Sequence, residues 1–174
     1  MRVLGIDPGK TIGVCLYDGA VLDAAEFGNV ADLRTWLWRS CGPNEPDPMA
    51  VDIAALEWPR MYSKGGNDIA DTCAQAGWIW CALGGERMPI EGGSVGAVRA
   101  LTRQDVVGAL SRKLGQQVRG DAGVWAALLD LHGGKGIADS KTGPLAALKG
   151  KPHAKAALAV AWAAMSLDTA RVSR

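Results

Sequence analysis

The chain has 174 residues, of which 48% are apolar, so it is long enough to bury a core and matches the size of one domain. Its net charge of +1 excludes a uniformly basic or uniformly acidic protein. Four Cys without a CxxC pair, together with only two His, argue against a structural zinc site and favour a reduced compartment. We see no signal peptide and no apolar run of membrane-spanning length, so we expect a cytoplasmic protein without membrane contact.

The charges are unevenly distributed along the chain. Residues 1–98 carry 7 basic and 13 acidic side chains, whereas residues 99–155 carry 10 basic and 4 acidic ones. A basic segment of this kind predicts a surface that meets an anion, and nucleic acid is the first candidate. A solvated basic face would show the same pattern, so charge alone leaves both alternatives open.

The first half of the chain predicts an antiparallel meander and then alternating helices and strands. Two turns, Asp7-Pro8-Gly9-Lys10 and Asp18-Gly19, separate three apolar segments that read as strands. Helical spacing and a second apolar run predict the elements that follow. The expected order is strands over 2–6, 11–17 and 20–27, a helix over 30–39, a strand over 51–56 that ends at Glu57, and a helix over 68–83.

The second half predicts mainly helices. Residues 88–91 and 95–98 read as short strands or as strand and loop, and Thr102 is a suitable N-cap for a helix over 104–114. Asp121 is expected to start a helix over 122–131, and Pro152 to open a long helix over 153–167. The Gly- and Lys-rich residues between them, 133–152, predict a flexible loop. The order of elements favours an α/β fold with a mixed sheet and helices on both faces.

Two carboxylates follow apolar strands. Asp7 ends the first strand and Glu57 ends the "DIAALE" strand. If these strands are parallel neighbours, both carboxylates emerge at one edge of the sheet, where ligands of open α/β sheets commonly bind. Their mutual repulsion would be relieved by a divalent cation, for which carboxylate oxygens suit Mg²⁺ or Mn²⁺. Taken singly, Asp7 could be a turn residue and Glu57 a solvated strand end.

The stretches "VLGIDPGKTIGV", "ALEWP" and "PHAKAALAVAWAA" resemble the RuvC family of Holliday-junction resolvases, within the RNase H-like nuclease superfamily. The resemblance spans the chain in order and spacing, although only the opening motif is specific. It implies an RNase H-like α/β fold with a mixed five-stranded sheet, three antiparallel strands first, in one nuclease domain over 1–174. It also implies a homodimer that cuts four-way DNA with two Mg²⁺ or Mn²⁺ ions per active site. The small size and the residue at position 153 suggest a phage or prophage branch.

The resemblance implies that Asp7, Glu57 and His153 are the catalytic residues and metal ligands. The last helix of the family usually carries two acids three residues apart, where this chain has His153 and Ala156. An imidazole can bind Mn²⁺ or assist proton transfer, whereas Ala156 cannot bind a metal. Asp139 or Asp121 could supply the missing acid, or three ligands could suffice. The alternative for His153 is a solvated helix end.

Seven basic residues are expected to contact DNA: Lys10, Arg60, Lys64, Arg103, Lys149, Lys151 and Lys155. Trp58 or Tyr62 could stack on an exposed base, and Gly13 could let DNA approach the second strand or mark a β-bulge. The helix that contains Trp78 is expected to belong to the core and to a dimer interface. Each lysine taken alone could equally be an ordinary surface residue.

Three other functions compete with junction resolution. Sugar kinases and actin-like ATPases also open with Gly-Ile-Asp-x-Gly, but they need two such domains, and 174 residues are too few. An RNA-processing nuclease of the same superfamily would share the fold. A junction-binding protein with reduced catalysis would explain the missing fourth acid.

Overall fold

The computed structural model describes residues 1–41, 51–59, 67–83 and 95–172. Within these residues, five strands form one sheet in the order β3-β2-β1-β4-β5. The strands are β1 (Val3–Asp7), β2 (Ile12–Tyr17), β3 (Val21–Phe27), β4 (Val51–Glu57) and β5 (Val95–Leu101). The helices are α1 (Val30–Cys41), α2 (Asn67–Ala82), α3 (Arg103–Leu114), α4 (Gly120–Leu131), α5 (Lys135–Ala138) and α6 (Pro152–Val172).

The sheet is mixed, as the strand pattern predicts. Strands β1, β2 and β3 are antiparallel, whereas β4 lies parallel to β1 and β5 lies parallel to β4. The final strand is longer than the expected 95–98 and runs to Leu101, whose backbone oxygen accepts a hydrogen bond from the Trp58 amide at 2.7 Å. The possible strand over 88–91 lies outside the described residues.

Helices cover both faces of the sheet, which confirms the expected layering. Alternate residues of each strand point to opposite faces. In β1, Val3 joins the cluster of buried residues formed with α3, α4 and α6, while Leu4 and Ile6 join the cluster formed with α1 and α2. In the part of the chain that the structure describes, no helix is long and apolar enough to cross a membrane.

Helix α6 lies against the sheet at unusually short range because two glycines lie beneath it. A Cβ atom on Gly13 would stand 2.1 Å from the His153 carbonyl oxygen, and one on Gly5 would stand 2.0 Å from the Ala157 carbonyl oxygen. The two interpretations of Gly13, a DNA approach and a β-bulge, are therefore wrong. Its missing side chain admits the first turn of α6, and the register shift of β2 lies between Leu16 and Tyr17.

Two local predictions about the second half need correction. The N-cap of α4 is Arg119, so Asp121 lies inside the first turn instead of starting the helix. The segment 133–152 is not the flexible loop expected from its Gly and Lys content. It contains α5 and the 3-10 helix Ala146–Leu148, and its apolar side chains are buried in the core: Ala138, Leu145 and Leu148.

Candidate active site

Asp7 and Glu57 lie at the same edge of the sheet. Strands β1 and β4 are parallel and pair Ile6 with Leu56, so the two carboxylates follow side by side where the strands end. This confirms the geometric expectation drawn from the two strand ends. Both side chains are mostly buried, with 20% and 17% of their surface exposed.

His153 reaches this edge from α6. Its Nδ1 atom lies 3.6 Å from Asp7 Oδ2. The first turn of the helix is held in place by Glu26 of β3, whose Oε1 atom accepts hydrogen bonds from the backbone amides of His153 and Ala154 at 2.7 and 3.2 Å. A carboxylate at this place satisfies amides that have no partner within the helix and complements the helix dipole. Glu26 thereby fixes where His153 stands relative to Asp7.

Arg103 and Asp121 complete the charged part of the site. Arg103 opens α3, which Thr102 caps in a reciprocal capping box with Asp105. Its Nη1 atom lies 3.6 Å from Glu57 Oε2, and its Nη2 atom is hydrogen-bonded to Asp121 Oδ1. The guanidinium, expected from the sequence to contact DNA, is thus placed between two carboxylates.

These groups line one cleft of about 510 Å³ between the sheet edge, α4 and α6. Its lining combines charged and apolar side chains. The lining residues are Asp7, Glu57, Arg103, Asp121, Val124, Trp125, Leu128, Pro152, His153, Lys155 and Ala156. Ala156 therefore faces the same cleft as His153, as the three-residue spacing on a helix predicts.

The pKa of Asp7 is raised from 3.8 to about 7. Burial is the largest cause, and the Glu57 carboxylate adds to it; Arg103 opposes the rise, while Asp121 and Glu26 contribute further repulsion. Burial also raises the pKa of Glu57, against the lowering effect of Arg103. One guanidinium therefore does not neutralise the site, which holds more negative than positive charge when its carboxyls are ionised.

The donor types fit a divalent cation. Carboxylate oxygens suit Mg²⁺ and Mn²⁺, and imidazole nitrogen suits Mn²⁺. The Oε2 atom of Glu57 is buried without a hydrogen-bond partner, although Arg103 Nη1 lies 3.6 Å away, so this oxygen still has a lone pair to offer a metal ion. As the side chains stand, no three His, Cys, Asp or Glu residues of the described ranges are grouped closely enough to hold a metal ion. The Arg103 guanidinium takes up part of the space between these carboxylates.

The residues expected to contact DNA are distributed over several places. Lys155 lies at the cleft with its Nζ atom 4.3 Å from the centre of the Trp125 ring. Lys149 is exposed, while the Lys151 ammonium donates a hydrogen bond to the Ala24 carbonyl at 2.6 Å. Lys10 lines a second cleft, of about 700 Å³, along α2.

Three residues named for the DNA interface, Arg60, Tyr62 and Lys64, lie outside the described residues. Trp58 is partly exposed and contacts Trp80 edge to face, with ring centres 5.9 Å apart. In α2 the expected core role applies to Ile79, which is fully buried, whereas Trp78 is 66% exposed.

Sequence reasoning missed Glu26 and the position of Arg103. Glu26 stands in a strand far from α6 in the chain, so only the sheet order brings it to the helix N-terminus. Thr102 was expected to cap α3, but with the helix starting at 104, so Arg103 was not placed in its first turn. The spacing of Thr102 and Asp105, which form the capping box, is the signal that could have shown it. Nothing in the sequence showed that this position faces Glu57.

No protein-family model matches the sequence, and no curated protein matches it significantly. The structure is similar to "Thermus thermophilus RuvC structure", with 20% sequence identity and a TM-score of 0.62, over 99% of this chain and 97% of that chain. It is also similar to "T. thermophilus RuvC in complex with Holliday junction substrate", with 19% identity and a TM-score of 0.56, over 99% and 96% of the two chains. The expected RNase H-like fold, that of RuvC, is thereby confirmed.

Proposed function

We propose that the chain is a metal-dependent, structure-selective endodeoxyribonuclease that resolves four-way DNA junctions, and that residues 1–174 form one nuclease domain. One observation carries the proposal. Asp7 and Glu57 end adjacent parallel strands and face His153 within a single cleft of a RuvC-like fold. The similarity to a RuvC structure with a Holliday junction substrate supports the choice of DNA form.

In this proposal Asp7, Glu57 and His153 hold Mg²⁺ or Mn²⁺, with two ions per site. Bound divalent ions supply a water that ionises near neutral pH and positive charge for the phosphate. Asp7 would be the central ligand of the three, because β1 lies beside β4 in the sheet and Asp7 Oδ2 lies 3.6 Å from His153 Nδ1. Arg103 offsets the charge of Glu57 and Asp121, and Glu26 holds the backbone of α6 in place at His153.

The protein would hold the junction through phosphate contacts. Lys155 stands at the cleft, and Lys149 is exposed beside the start of α6. The other proposed DNA contacts are Lys10, Arg60, Lys64, Arg103 and Lys151. Lys151 would first have to break its hydrogen bond to the Ala24 carbonyl. Arg103 would contact DNA in addition to its ion pair with Glu57. Phosphate contacts of this kind position DNA without reading its sequence.

Paired cuts require two active sites, so we propose a homodimer. The exposed Trp78 of α2 is a suitable interface residue, because a large aromatic side chain buries much area when a partner covers it. Sedimentation at micromolar concentration tests this point. A dimer is expected, and a monomer that still makes paired cuts would contradict it.

A second function, junction binding with reduced catalysis, is favoured by Ala156. This residue faces the cleft where the RuvC family, by the resemblance described above, carries a fourth acid. The protein would then bind four-way DNA tightly and cut it slowly or not at all. An RNA-processing nuclease of the same fold is the third possibility.

The experiment that separates these functions is a cleavage panel. A four-way DNA junction, a flap, a plain duplex and a structured RNA are each incubated with the protein in Mg²⁺ and in Mn²⁺. Junction resolution predicts cleavage of the four-way DNA above all others. Cleavage of the RNA alone, or tight junction binding without cleavage in either metal, would replace the proposal by one of the alternatives.

A further inference from the structure

The cleft is lined by apolar as well as charged side chains. Trp125 of α4 and Ala156 and Pro152 of α6 are half-buried or exposed, while Val124 and Leu128, which also line the cleft, are buried; we call these five residues the apolar wall. A volume of about 510 Å³ lies in the range of pockets for organic ligands, roughly 300–1,000 Å³, whereas one water occupies only about 30 Å³. Ions and a phosphate therefore leave most of the cleft to be filled by something uncharged.

We propose that this wall is a nucleobase subsite, which takes the base of a nucleotide next to the scissile phosphate. The inference rests on the proposed function and extends it to a specific contact. A strand whose phosphate lies near Asp7 and His153 carries its neighbouring base within the same cleft. The base has flat apolar faces that match the wall, whereas a phosphate has none.

Trp125 and Lys155 provide the means of recognition. The Lys155 ammonium lies 4.3 Å from the centre of the half-buried Trp125 ring and so covers one face of it. A base stacked on an aromatic ring is generally held more tightly than a cation over a partly exposed ring. An arriving base can therefore take the ring face, and the long Lys155 side chain then becomes available to a phosphate.

Ala156 makes the subsite possible. It stands one helical turn after His153 and faces the same cleft, so its methyl group continues the wall formed by Trp125. A carboxylate at position 156 would place a charge against this apolar surface, which is costly without a partner. Ala156, in place of an acid, thus leaves more room and more apolar surface for a base.

The test combines protein variants with modified junctions. The position of the cut is first mapped with the wild-type protein, and each nucleotide that flanks it is then replaced by an abasic one. Trp125→Leu keeps the apolar volume and removes the ring, whereas Trp125→Phe keeps a ring. Lys155→Met serves as the matched control, because it removes the charge and retains the apolar stem. Junction affinity and its salt dependence are measured for each combination.

We expect Trp125→Leu to weaken junction binding by between about 5- and 150-fold, the range for one stacked base, and Trp125→Phe to weaken it less. At one flanking position, the abasic nucleotide should weaken binding by the wild type by the same factor. It should not weaken binding by Trp125→Leu any further. Lys155→Met should lower the slope of log affinity against log salt by about one, and Trp125→Leu should leave the slope unchanged.

Equal losses for Trp125→Leu on intact and abasic junctions would overturn the subsite, because Trp125 would then act only through packing. No loss on the intact junction would do the same. In both cases the wild type still binds and cuts four-way DNA, so the proposed function stands. A wild-type protein that binds no four-way DNA would overturn the subsite and the proposed function together.

Discussion

At the scale of single residues, Asp7 carries the largest electrostatic cost in the site. It is buried at a strand end beside Glu57, and its pKa of about 7 shows how unfavourable its charge is there. The pairing of β1 with β2 and β4 is made by backbone groups, so it does not depend on a charge at position 7. A charge that costs stability and serves no packing role is what a metal-binding function predicts.

This cost makes the stability of the metal-free protein depend on pH. The unfolded carboxyl has its ordinary pKa of 3.8 and the folded one about 7, so only the folded state keeps the proton between these values. The free energy of unfolding should therefore fall as pH rises from about 4 to about 7, by up to about 4 kcal/mol, and then level off.

Asp7→Asn should remove the part of this dependence that Asp7 contributes, while Glu57, whose pKa is also raised by burial, keeps its own part. In chelator-containing buffer, urea unfolding at pH 8 should show the variant to be more stable than the wild type, and at pH 4 the difference should vanish. The exposed Asp130 of α4 supplies the control, because Asp130→Asn should change stability by less than about 0.5 kcal/mol at both pH values. A variant that is less stable than wild type at pH 8 would contradict the account of Asp7.

His153, unlike Asp7, should be replaceable by a different kind of metal ligand. His153→Ala should lose at least about 90% of cleavage and keep junction binding, because it removes a ligand but no DNA contact. His153→Asp should retain activity with Mg²⁺, since a carboxylate replaces the imidazole. With the wild type, Mn²⁺ should support faster cleavage than Mg²⁺, because nitrogen suits the transition metal better. Wild-type cleavage by His153→Ala in both metals would make His153 a solvated helix end.

The candidate residues divide by how far the sequence revealed them. Asp7 and Glu57 could be predicted because each ends an apolar strand, and strand ends have a defined place in an α/β sheet. His153 needed the resemblance of the last helix. Glu26 could not be found, and Arg103, which was expected to contact DNA, could not be placed beside Glu57. Both positions depend on which strand and which helix lie beside α6 and β4, and no local pattern encodes that.

At the scale of elements, the site depends on the close seating of α6 against β1 and β2. Gly13→Ala would place a methyl group 2.1 Å from the His153 carbonyl, so the helix must shift at the point where it carries His153. We expect a loss of roughly 1–3 kcal/mol of stability, as for overpacked cores, and a large loss of cleavage. Gly77→Ala in α2 is the control, because nothing lies within 4 Å of a Cβ there, and it should be neutral or stabilising. Wild-type stability and activity in Gly13→Ala would contradict this packing.

Variants of Glu26 test the position of α6 at its N-terminus. Glu26→Ala leaves two amides of α6 without their acceptor and should cost about 1–2 kcal/mol by urea unfolding, whereas Glu26→Gln should cost less because its amide oxygen still accepts. Metal affinity should weaken with Glu26→Ala, since His153 is no longer held toward Asp7. Unchanged stability in Glu26→Ala would show that the cap contributes nothing.

Elements were predictable where their apolar pattern was regular. The strands and α1 to α4 follow from alternation, helical spacing and a capping Thr. The structure of segment 133–152 could not be predicted, because Leu145 and Leu148 are buried within an irregular stretch whose Gly and Lys content suggests solvent exposure. Burial there depends on the neighbouring β3 and α4 surfaces, which the segment itself does not encode.

At the scale of the whole molecule, the basic segment 99–155 should govern DNA binding. Six of its basic side chains are exposed in the structure: Arg112, Lys113, Arg119, Lys135, Lys141 and Lys149. If about six or more phosphates are neutralised, junction affinity should fall by roughly 1,000-fold or more between 50 and 200 mM salt. A change of less than tenfold would mean that this surface is only solvated.

In the proposed mechanism Asp7 acts in cleaving a DNA junction rather than in binding it. The most direct measurement compares wild type and Asp7→Asn on a four-way junction and on a linear duplex of the same arms, with cleavage and binding recorded in parallel. We predict that the wild type cuts the junction and spares the duplex. Asp7→Asn should bind the junction with similar affinity and cut it at least about 100-fold more slowly. Equal cutting of junction and duplex, or an Asp7→Asn variant that retains a tenth or more of the wild-type rate, would contradict the account.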